Sequence, residues 1–206
     1  MARAVIMGGA PIDTYDFYTK CVDDFVICAD SGYRHAVQLG IKPDLVVGDF
    51  DSLLGEVPQD INRMVYPAEK DATDFQIALE YAIAQGYTDI YAIGVFGGRV
   101  DHFLGNISLL KMAREKEINF LMEDADCRMT ISWGTLHVPK THFTYLSVVP
   151  LFEDATVSLA GVKYPLQKKR LFRGDTLGIS NEITAKEAII QIENGSAVIL
   201  CCNDTH

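Results

Sequence analysis

The fold is indicated most clearly by one stretch, Leu45-Val46-Val47-Gly48-Asp49-Phe50-Asp51-Ser52. Three apolar residues and a glycine precede two aspartates that are separated by one residue. A buried parallel strand would place both carboxylates at its carboxyl end, where open α/β sheets bind their ligands. Two carboxylates this close repel each other, and a hard cation such as Mg²⁺ would remove that repulsion. The stretch therefore predicts a strand that ends in a cation site; a surface turn is the alternative, because these polar residues are common in turns.

The residues on either side of this strand alternate between short apolar segments and helical patterns, up to about residue 124. We predict strands and helices at these positions: strands Ala4–Met7, Phe25–Ala29, Leu45–Val47, Met64–Tyr66, Ile90–Gly94 and Asn119–Met122, and helices Tyr33–Leu39, Asp74–Ala84 and Asp101–Glu115. Such alternation predicts βαβ units and a mainly parallel sheet. Residues 1–124 are therefore expected to form a Rossmann-like α/β domain that binds a nucleotide at the glycine- and acid-rich ends of its strands.

The pattern changes at about residue 125. Short, often alternating strands are predicted at Arg128–Trp133, Thr135–Val138, Tyr145–Leu151, Ala155–Leu159, Leu177–Ser180, Ala188–Glu193 and Ala197–Cys201. No helix of normal length fits between them, so residues 125–206 are expected to form an all-β domain, a small sandwich or barrel. The one basic run, Lys168-Lys169-Arg170, is interpreted as a solvated turn.

Charge and composition exclude several classes of function. The net charge of −10 and the lack of a basic cluster argue against a nucleic-acid partner. We find no signal peptide and no apolar stretch of the roughly 20 residues that a membrane-spanning helix needs, so no membrane partner is expected. The five cysteines are odd in number and contain no CxxC pair. They are interpreted as reduced thiols, which indicates a cytoplasmic protein.

A second candidate motif, Lys70-Asp71-Ala72-Thr73-Asp74-Phe75, opens the second predicted helix. Asp71 and Asp74 are three residues apart and are expected to lie near each other on its first turn. Acids are good residues at any helix start, so the pair alone is weak evidence for a site. A lysine beside them is more specific, because a metal and phosphate site uses both charges.

The third motif is Gly97-Gly98-Arg99-Val100-Asp101-His102, between a predicted strand and a helix. Paired glycines let backbone amides approach a phosphate, and Arg99 can bind it in a bidentate manner. Asp101 could instead simply cap the helix, with His102 on its surface. Together the motifs predict a Mg²⁺–nucleotide site for phosphoryl-type transfer without a covalent nucleophile. A P-loop is excluded because no GxxxxGK[ST] stretch exists.

The fourth motif, Gly178-Ile179-Ser180-Asn181-Glu182, lies in the predicted β domain, as does a turn that contains Tyr164. Each alone could be an ordinary hairpin feature. The four motifs together, in this order and spacing, resemble those of the thiamine pyrophosphokinase (thiamin diphosphokinase) family. The resemblance covers nearly the whole chain, including the change from α/β to all-β. It implies a transferase that moves a pyrophosphoryl group from ATP to thiamine, giving thiamine diphosphate and AMP.

The resemblance also implies roles for individual residues. It implies catalytic roles for Asp71, Asp74, Arg99 and Asp101, ATP contacts from Asp30, Ser31, Asp49, Ser52, Lys70, Thr73, Gly98 and His102, and Mg²⁺ coordination by Asp49, Asp51, Asp71 and Asp74. Thiamine would be bound by Tyr164, Ser180 and Asn181. The family often has Trp where this chain has Tyr164, and a tyrosine can still stack on a cationic heterocycle. Family members are homodimers with an active site shared between chains, so a homodimer is expected.

The expected reaction is in-line attack of the thiamine alcohol on the β-phosphorus, with AMP leaving. Either Asp71 or Asp101 could accept the proton of the alcohol, and the sequence does not choose between them. One alternative is a haloacid-dehalogenase-type phosphatase with Asp49 as nucleophile, but its signature normally follows the first strand, and here two precede it. A thiamine or nucleotide sensor is a second alternative, against which the complete set of Lys70, Arg99 and acids argues.

Overall fold

The computed structural model describes residues 2–49, 57–67, 69 and 71–204. The chain divides into two compact units, Met1–Ala125 and Asp126–His206. Parallel strand pairs characterise the first unit and antiparallel pairs the second. Within the described residues, no helix has both the length and the apolar character that crossing a membrane requires.

The first unit is built on parallel strands. Its elements are β1 (Ala4–Met7), β2 (Phe25–Ala29), β3 (Leu45–Gly48), β4 (Asn62–Val65), β5 (Asp89–Ile93) and β6 (Asn119–Glu123), with helices α1 (Tyr33–Gln38), α2 (Asp74–Ala84) and α3 (Val100–Glu115) and a 3₁₀ turn at Asp30–Gly32. The strands lie side by side in the order β4-β3-β2-β1-β5-β6, and every pair between them is parallel. The strand order reverses between β1 and β5, which is where open α/β sheets form a ligand crevice.

The apolar runs that predicted these strands are buried in the centre of the sheet. All residues of β1 and β3 are buried, as are four of the five in β2 and in β5, because helices cover both faces of a parallel sheet. β4 differs: among the described strands it pairs with β3 alone, and it is largely exposed. It spans Asn62–Val65 rather than the predicted Met64–Tyr66, since an edge strand carries little hydrophobic signal.

The second unit contains only strands among its described residues. They are β7 (Cys127–Ser132), β8 (Thr135–Pro139), β9 (Tyr145–Val149), β10 (Ala155–Ala160), β11 (Leu166–Leu171), β12 (Glu187–Asn194) and β13 (Ala197–Cys202). β13 lies between β7 and β9 and is antiparallel to both. A separate four-stranded antiparallel sheet has the order β11-β10-β12-β8. One hydrophobic cluster takes side chains from both groups of strands, including Leu146, Val157, Ile190 and Ile199.

Two local predictions in this unit are wrong. The basic run Lys168-Lys169-Arg170 lies in β11 and not in a turn. β11 is an edge strand, where charged side chains stay in water and discourage pairing with another sheet. The segment Leu177–Ser180 is a turn and not a strand. Its alternating apolar residues suggested a strand, yet the side chains of Leu177 and Ile179 are exposed.

Candidate functional site

A cleft of about 350 Å³ opens at the carboxyl ends of β1, β2 and β5. It lies entirely within the first unit. Three strand-end loops and the beginnings of α2 and α3 line it, through Gly8, Gly9, Ala10, Pro11, Ala29, Asp30, Ser31, Thr73, Asp74, Phe75, Gly94, Val95, Gly97, Gly98, Arg99, His102, Phe103 and Asn106. The position is the one expected for a ligand in an open parallel sheet.

Small residues allow the strand-end loops to pack against one another. The Gly8 N–H donates to the Ile93 carbonyl at 2.8 Å, and the Ala10 N–H donates to the Gly94 carbonyl at 2.9 Å. A Cβ on Gly32 would overlap the Met7 carbonyl, and a Cβ on Gly9 would overlap the Ser31 hydroxyl. The backbone therefore requires glycine at position 32. At position 9 a Cβ would overlap only the Ser31 side chain.

Asp30 and Ser31 occupy the loop after β2 and both line the cleft. Asp30 has a positive φ of 45°, a conformation that Asp adopts more easily than most residues. The end of β3 lies close by, because a Cβ on Gly48 would be 3.3 Å from the Asp30 Cα. Asp49, the next residue after β3, is half-buried and is not among the residues that line the cleft.

The first turn of α2 lies at the cleft. Thr73 is the N-cap: its backbone is extended, and its hydroxyl accepts a hydrogen bond from the Gln76 N–H at 3.1 Å. Thr73 and Asp74 both line the cleft, and the helix terminus adds a positive potential that favours an anion. Asp71 lies ahead of the cap, so the expectation that it shares the first helical turn with Asp74 is wrong.

The loop before α3 brings a second positive group to the cleft. Gly97 and Gly98 have positive φ values of 72° and 62°, and Arg99 lies at the N-cap position of α3. The Arg99 guanidinium donates to both carboxylate oxygens of Asp101, at 3.1 and 2.5 Å. Arg99 thereby lowers the pKa of Asp101 to about 2. Arg99, Gly98 and His102 line the cleft, whereas Asp101 does not.

Several cleft residues were not identified from the sequence as binding residues. The Gly8–Pro11 loop contains no predicted binding residue, although its paired glycines were the available signal. The aromatic rings of Phe75 and Phe103 had no signal that separates them from core residues. Asn106, one turn beyond His102, lines the cleft and donates from its side-chain amide to the Val95 carbonyl at 3.1 Å.

Four residues of the predicted motifs, Phe50, Asp51, Ser52 and Lys70, lie outside the described residues. The proposed ATP contacts of Ser52 and Lys70 and the metal role of Asp51 therefore stay predictions. Over the part of the chain that is described, no three His, Cys, Asp or Glu side chains form a group that could hold a metal ion. The predicted four-carboxylate set includes Asp51, so it too stays a prediction.

The predicted thiamine-binding residues lie together in the second unit. Asn181 is buried, and its side-chain oxygen accepts hydrogen bonds from the backbone N–H groups of Tyr164 and Glu182, at 3.0 and 2.9 Å. Its side-chain nitrogen donates to the Tyr164 carbonyl at 2.8 Å. Asn181 thus binds both the N–H and the carbonyl of Tyr164. These hydrogen bonds use one of the two hydrogens on its side-chain nitrogen.

Tyr164 and Ser180 are exposed on this scaffold. The Tyr164 side chain is 60% exposed, and the Lys163 ammonium lies 5.6 Å from the centre of its ring. Lys163 also pairs with Glu182 at 2.6 Å. Ser180 has a positive φ of 59°, and its N–H donates to the Ser147 hydroxyl at 3.0 Å. An aromatic ring is therefore presented to solvent beside a polar turn.

These two units define a class of protein, an α/β enzyme unit with a ligand cleft at its strand ends, joined to an all-β unit. The family model for the catalytic domain of thiamin pyrophosphokinase matches residues 20–122, and that for its vitamin B1 binding domain matches residues 134–199. The chain belongs to the thiamine pyrophosphokinase family. It is a transferase whose activity is thiamine diphosphate formation, which implies ATP and thiamine as substrates. The resemblance drawn from the four motifs is confirmed.

Individual relatives agree along nearly the whole chain. The thiamine pyrophosphokinase of Bacillus subtilis is 32% identical over 209 residues, which cover 97% of this chain and 98% of the relative. The crystal structure of the Bacillus subtilis enzyme superimposes with a TM-score of 0.89 and 29% identity, over 100% of both chains. The thiamin pyrophosphokinase structure from Geobacillus thermodenitrificans gives a TM-score of 0.86 and 31% identity, over 100% of this chain and 99% of the other.

Proposed function

We propose that the chain transfers pyrophosphate from ATP to thiamine with Mg²⁺, and that the cleft of the first unit binds ATP. The observation that carries the assignment is the convergence of the Gly8–Pro11 loop, the start of α2 and Arg99 on one cleft. Backbone amides, a helix terminus and a guanidinium are the groups that bind polyphosphate. Residues 1–124 would form a Rossmann-like catalytic domain and residues 125–206 a β-sandwich that binds thiamine.

Mg²⁺ would be held by Asp49, Asp51, Asp71 and Asp74. Oxygen donors of this kind are the ones that Mg²⁺ prefers, so the donor set fits the ion. The ion would neutralise charge on the polyphosphate. Asp74 lies in the cleft and Asp49 is half-buried at the neighbouring strand end. The ATP itself would contact Asp30, Ser31, Thr73, Gly98 and His102, with Ser52 and Lys70 contributing from outside the described residues.

The chemical step would join the thiamine hydroxyl oxygen to the β-phosphorus of ATP and break the bond between that phosphorus and the bridging oxygen of AMP. Arg99 would bind the transferred group and AMP would carry away the negative charge. The proton of the alcohol needs an acceptor, and Asp71 is the better candidate, through a carboxylate oxygen that does not coordinate Mg²⁺. Asp101 is a weak base while Arg99 holds its pKa at about 2.

Thiamine would bind to the exposed ring of Tyr164, with Ser180 and the remaining amide hydrogen of Asn181 available to the aminopyrimidine. The thiazolium ring of thiamine is cationic and would stack on the tyrosine. The neighbouring Lys163 charge is neutralised by Glu182, which reduces its repulsion of a cationic ligand. A cytoplasmic location is proposed because the five cysteines are odd in number and contain no CxxC pair.

A homodimer with shared active sites is also proposed. The second unit exposes large apolar side chains, namely Tyr164, Phe172, Leu177 and Ile179, and such side chains are typical of surfaces that bind a partner. Mixing experiments would test the sharing. Asp71→Asn and Tyr164→Ala chains should each be inactive and should recover activity when mixed, because a mixed dimer would contain one intact site. If mixing restores nothing while mixed dimers form, the site is not shared.

The decisive assay for the function is thiamine-dependent release of AMP from ATP. Purified protein with Mg²⁺ should produce AMP and thiamine diphosphate, and EDTA should abolish the reaction. Asp71→Asn should remain folded and lose most turnover, whereas Asp60→Asn, an exposed carboxylate paired with Lys42, should retain it. Release of phosphate with a phosphoaspartate on Asp49 would instead indicate a phosphatase. Binding of both substrates without AMP formation would indicate a sensor.

A further inference from the structure

We propose that His35 is a positioning residue for the ATP cleft, which it acts on through the Ala10 carbonyl without contacting the nucleotide. The inference rests on the proposed function of the cleft. His35 is not among the residues that line the cleft, so any effect on ATP must pass through the loop that it holds. No sequence motif drew attention to this residue.

His35 lies beneath the strand-end loops. It is the third residue of α1, the helix that follows Asp30-Ser31-Gly32, and its side chain is only 8% exposed. A Cβ on Gly94 would be 3.1 Å from the His35 Cδ2, so the imidazole packs directly against the loop after β5. The imidazole is thus adjacent to the loops after β1, β2 and β5, which together form one side of the cleft.

Both nitrogens of the imidazole make specific hydrogen bonds. Nε2 lies 2.9 Å from the Ala10 carbonyl oxygen, and Nδ1 lies 2.6 Å from the Tyr15 hydroxyl. A carbonyl oxygen can only accept, so Nε2 carries the hydrogen. Nδ1 and the Tyr15 hydroxyl share the second hydrogen bond, and its donor depends on the protonation of the ring. The Tyr15 hydroxyl also donates to the Gln38 side-chain oxygen at the end of α1.

Burial favours the neutral form of the His35 imidazole. Desolvation lowers the pKa of His35, and the hydrogen bonds to Ala10 and Gln38 oppose this shift only in part. A neutral ring at pH 7 can donate at one nitrogen and accept at the other. The neutral ring therefore keeps its hydrogen on Nε2, directed at the Ala10 carbonyl.

This arrangement fixes a loop that has no regular structure of its own. The Gly8–Pro11 loop is held on one side by the Gly8 and Ala10 N–H groups, which donate to Ile93 at the end of β5 and to Gly94 in the loop after it. On the other side, the His35 imidazole donates a hydrogen bond to the Ala10 carbonyl. Residues 11–24 contain neither a helix nor a strand, and the bond to Tyr15 attaches this segment to the same imidazole. Amides that bind phosphate must be held in place, because small displacements weaken binding and transfer.

ATP binding by calorimetry tests the inference on the complete protein. His35→Leu keeps an apolar side chain but leaves the Ala10 carbonyl without its donor, and the dissociation constant for ATP should rise about tenfold. His35→Gln retains an N–H that can reach this carbonyl, so it should recover most of the affinity. Tyr15→Phe, at a less buried position, should raise the dissociation constant about threefold. His137→Leu removes an exposed imidazole in the second unit and should change nothing.

The dissociation constant separates positioning from a purely structural role, because a partly unfolded sample lowers the number of binding sites without changing the affinity of those that remain. The ¹⁵N spectrum of the His35 ring should also show the neutral form with hydrogen on Nε2. Unchanged affinity in both His35→Leu and Tyr15→Phe would overturn the inference while the proposed function stands. A wild-type protein that does not bind ATP would overturn the proposed function together with the inference.

Discussion

Gly9→Ala offers a direct test of how the cleft is built. Gly9 does not adopt a positive φ, so alanine causes no backbone strain. A Cβ at this position would lie closer than 3.0 Å to the Ser31 hydroxyl, whereas the Ser31 Cβ and the Gly32 nitrogen would be 3.4 and 3.7 Å away. Only the hydroxyl stands in the way, and it can rotate about the Cα–Cβ bond. The substitution should therefore displace the Ser31 hydroxyl and leave the fold intact.

The size of the effect follows from the proposed contact of Ser31 with ATP. Losing one hydrogen bond weakens binding by about 0.5–1.5 kcal/mol, which corresponds to a rise in KM for ATP of about 2- to 13-fold. Steady-state kinetics should be measured for Gly9→Ala, Ser31→Ala and the double variant. The double variant should be no worse than Ser31→Ala, because the alanine methyl then meets no hydroxyl. KM for thiamine should not change.

Two results would contradict a contact between the Ser31 hydroxyl and ATP that Gly9→Ala disturbs. Gly9→Ala with an unchanged KM for ATP would mean that the Ser31 hydroxyl makes no contact with ATP or tolerates its displacement. Fully additive losses in the double variant would mean that the new methyl acts on ATP directly. Gly105→Ala is the matched control: a Cβ there meets nothing within 4 Å, and alanine in α3 should raise the unfolding free energy by about 1 kcal/mol without altering KM.

Three further predictions concern stability and can be checked by urea unfolding. The Tyr18 hydroxyl is buried and has no hydrogen-bond partner among the described residues, so Tyr18→Phe should leave the unfolding free energy unchanged or raise it by up to about 1 kcal/mol; a clear loss would reveal a missed partner. Burial raises the pKa of Asp24, but the hydrogen bonds from Arg3 and the Cys21 N–H outweigh this effect and the pKa is lowered. The stabilisation by this carboxylate is therefore present above about pH 4 and is lost as the pH falls through the folded-state pKa. Asp24→Asn should lower stability by about 1.5–3 kcal/mol at pH 7 and remove that part of the acid dependence; an unchanged pH profile would contradict the assignment. Thr73→Ala should lower the unfolding free energy by about 1 kcal/mol through loss of the N-cap, and Thr73→Ser should restore it; equal stability of all three forms would show that the cap contributes nothing.

Much of the first unit could be predicted because its local and tertiary preferences agree. The run Ala4–Met7 is continuously apolar and forms a strand whose residues are all buried. α2 was predicted at Asp74–Ala84 and occupies those residues, since the Thr73 cap and the helical spacing of apolar residues indicate the same start. Where a segment lies at the edge of a sheet this agreement is lost. β11 is rich in lysine, and no local pattern distinguishes it from a solvated turn.

Local sequence patterns were enough to predict the change from parallel to antiparallel structure and the four motifs, and the motifs indicated the family. These properties depend on the order of residues over short stretches of the chain. The periodicity and spacing of residue types therefore suffice to predict them. The motif at Asp49 was correctly predicted to follow a strand, β3, and the stretch at Arg99 to precede a helix, α3.

The contacts of the motif residues could be read from the folded chain but not from local patterns. The thiamine contact of Asn181 stays a prediction, and its amide also hydrogen-bonds the backbone of Tyr164. Asp101 stays a predicted candidate for the general base, and its hydrogen bonds to Arg99, which no sequence pattern shows, lower its pKa to about 2. His35 has no recognisable motif, yet it holds the Ala10 loop across 25 residues of sequence. Hydrogen bonds between residues far apart in the chain depend on the folded backbone, and no local pattern encodes them.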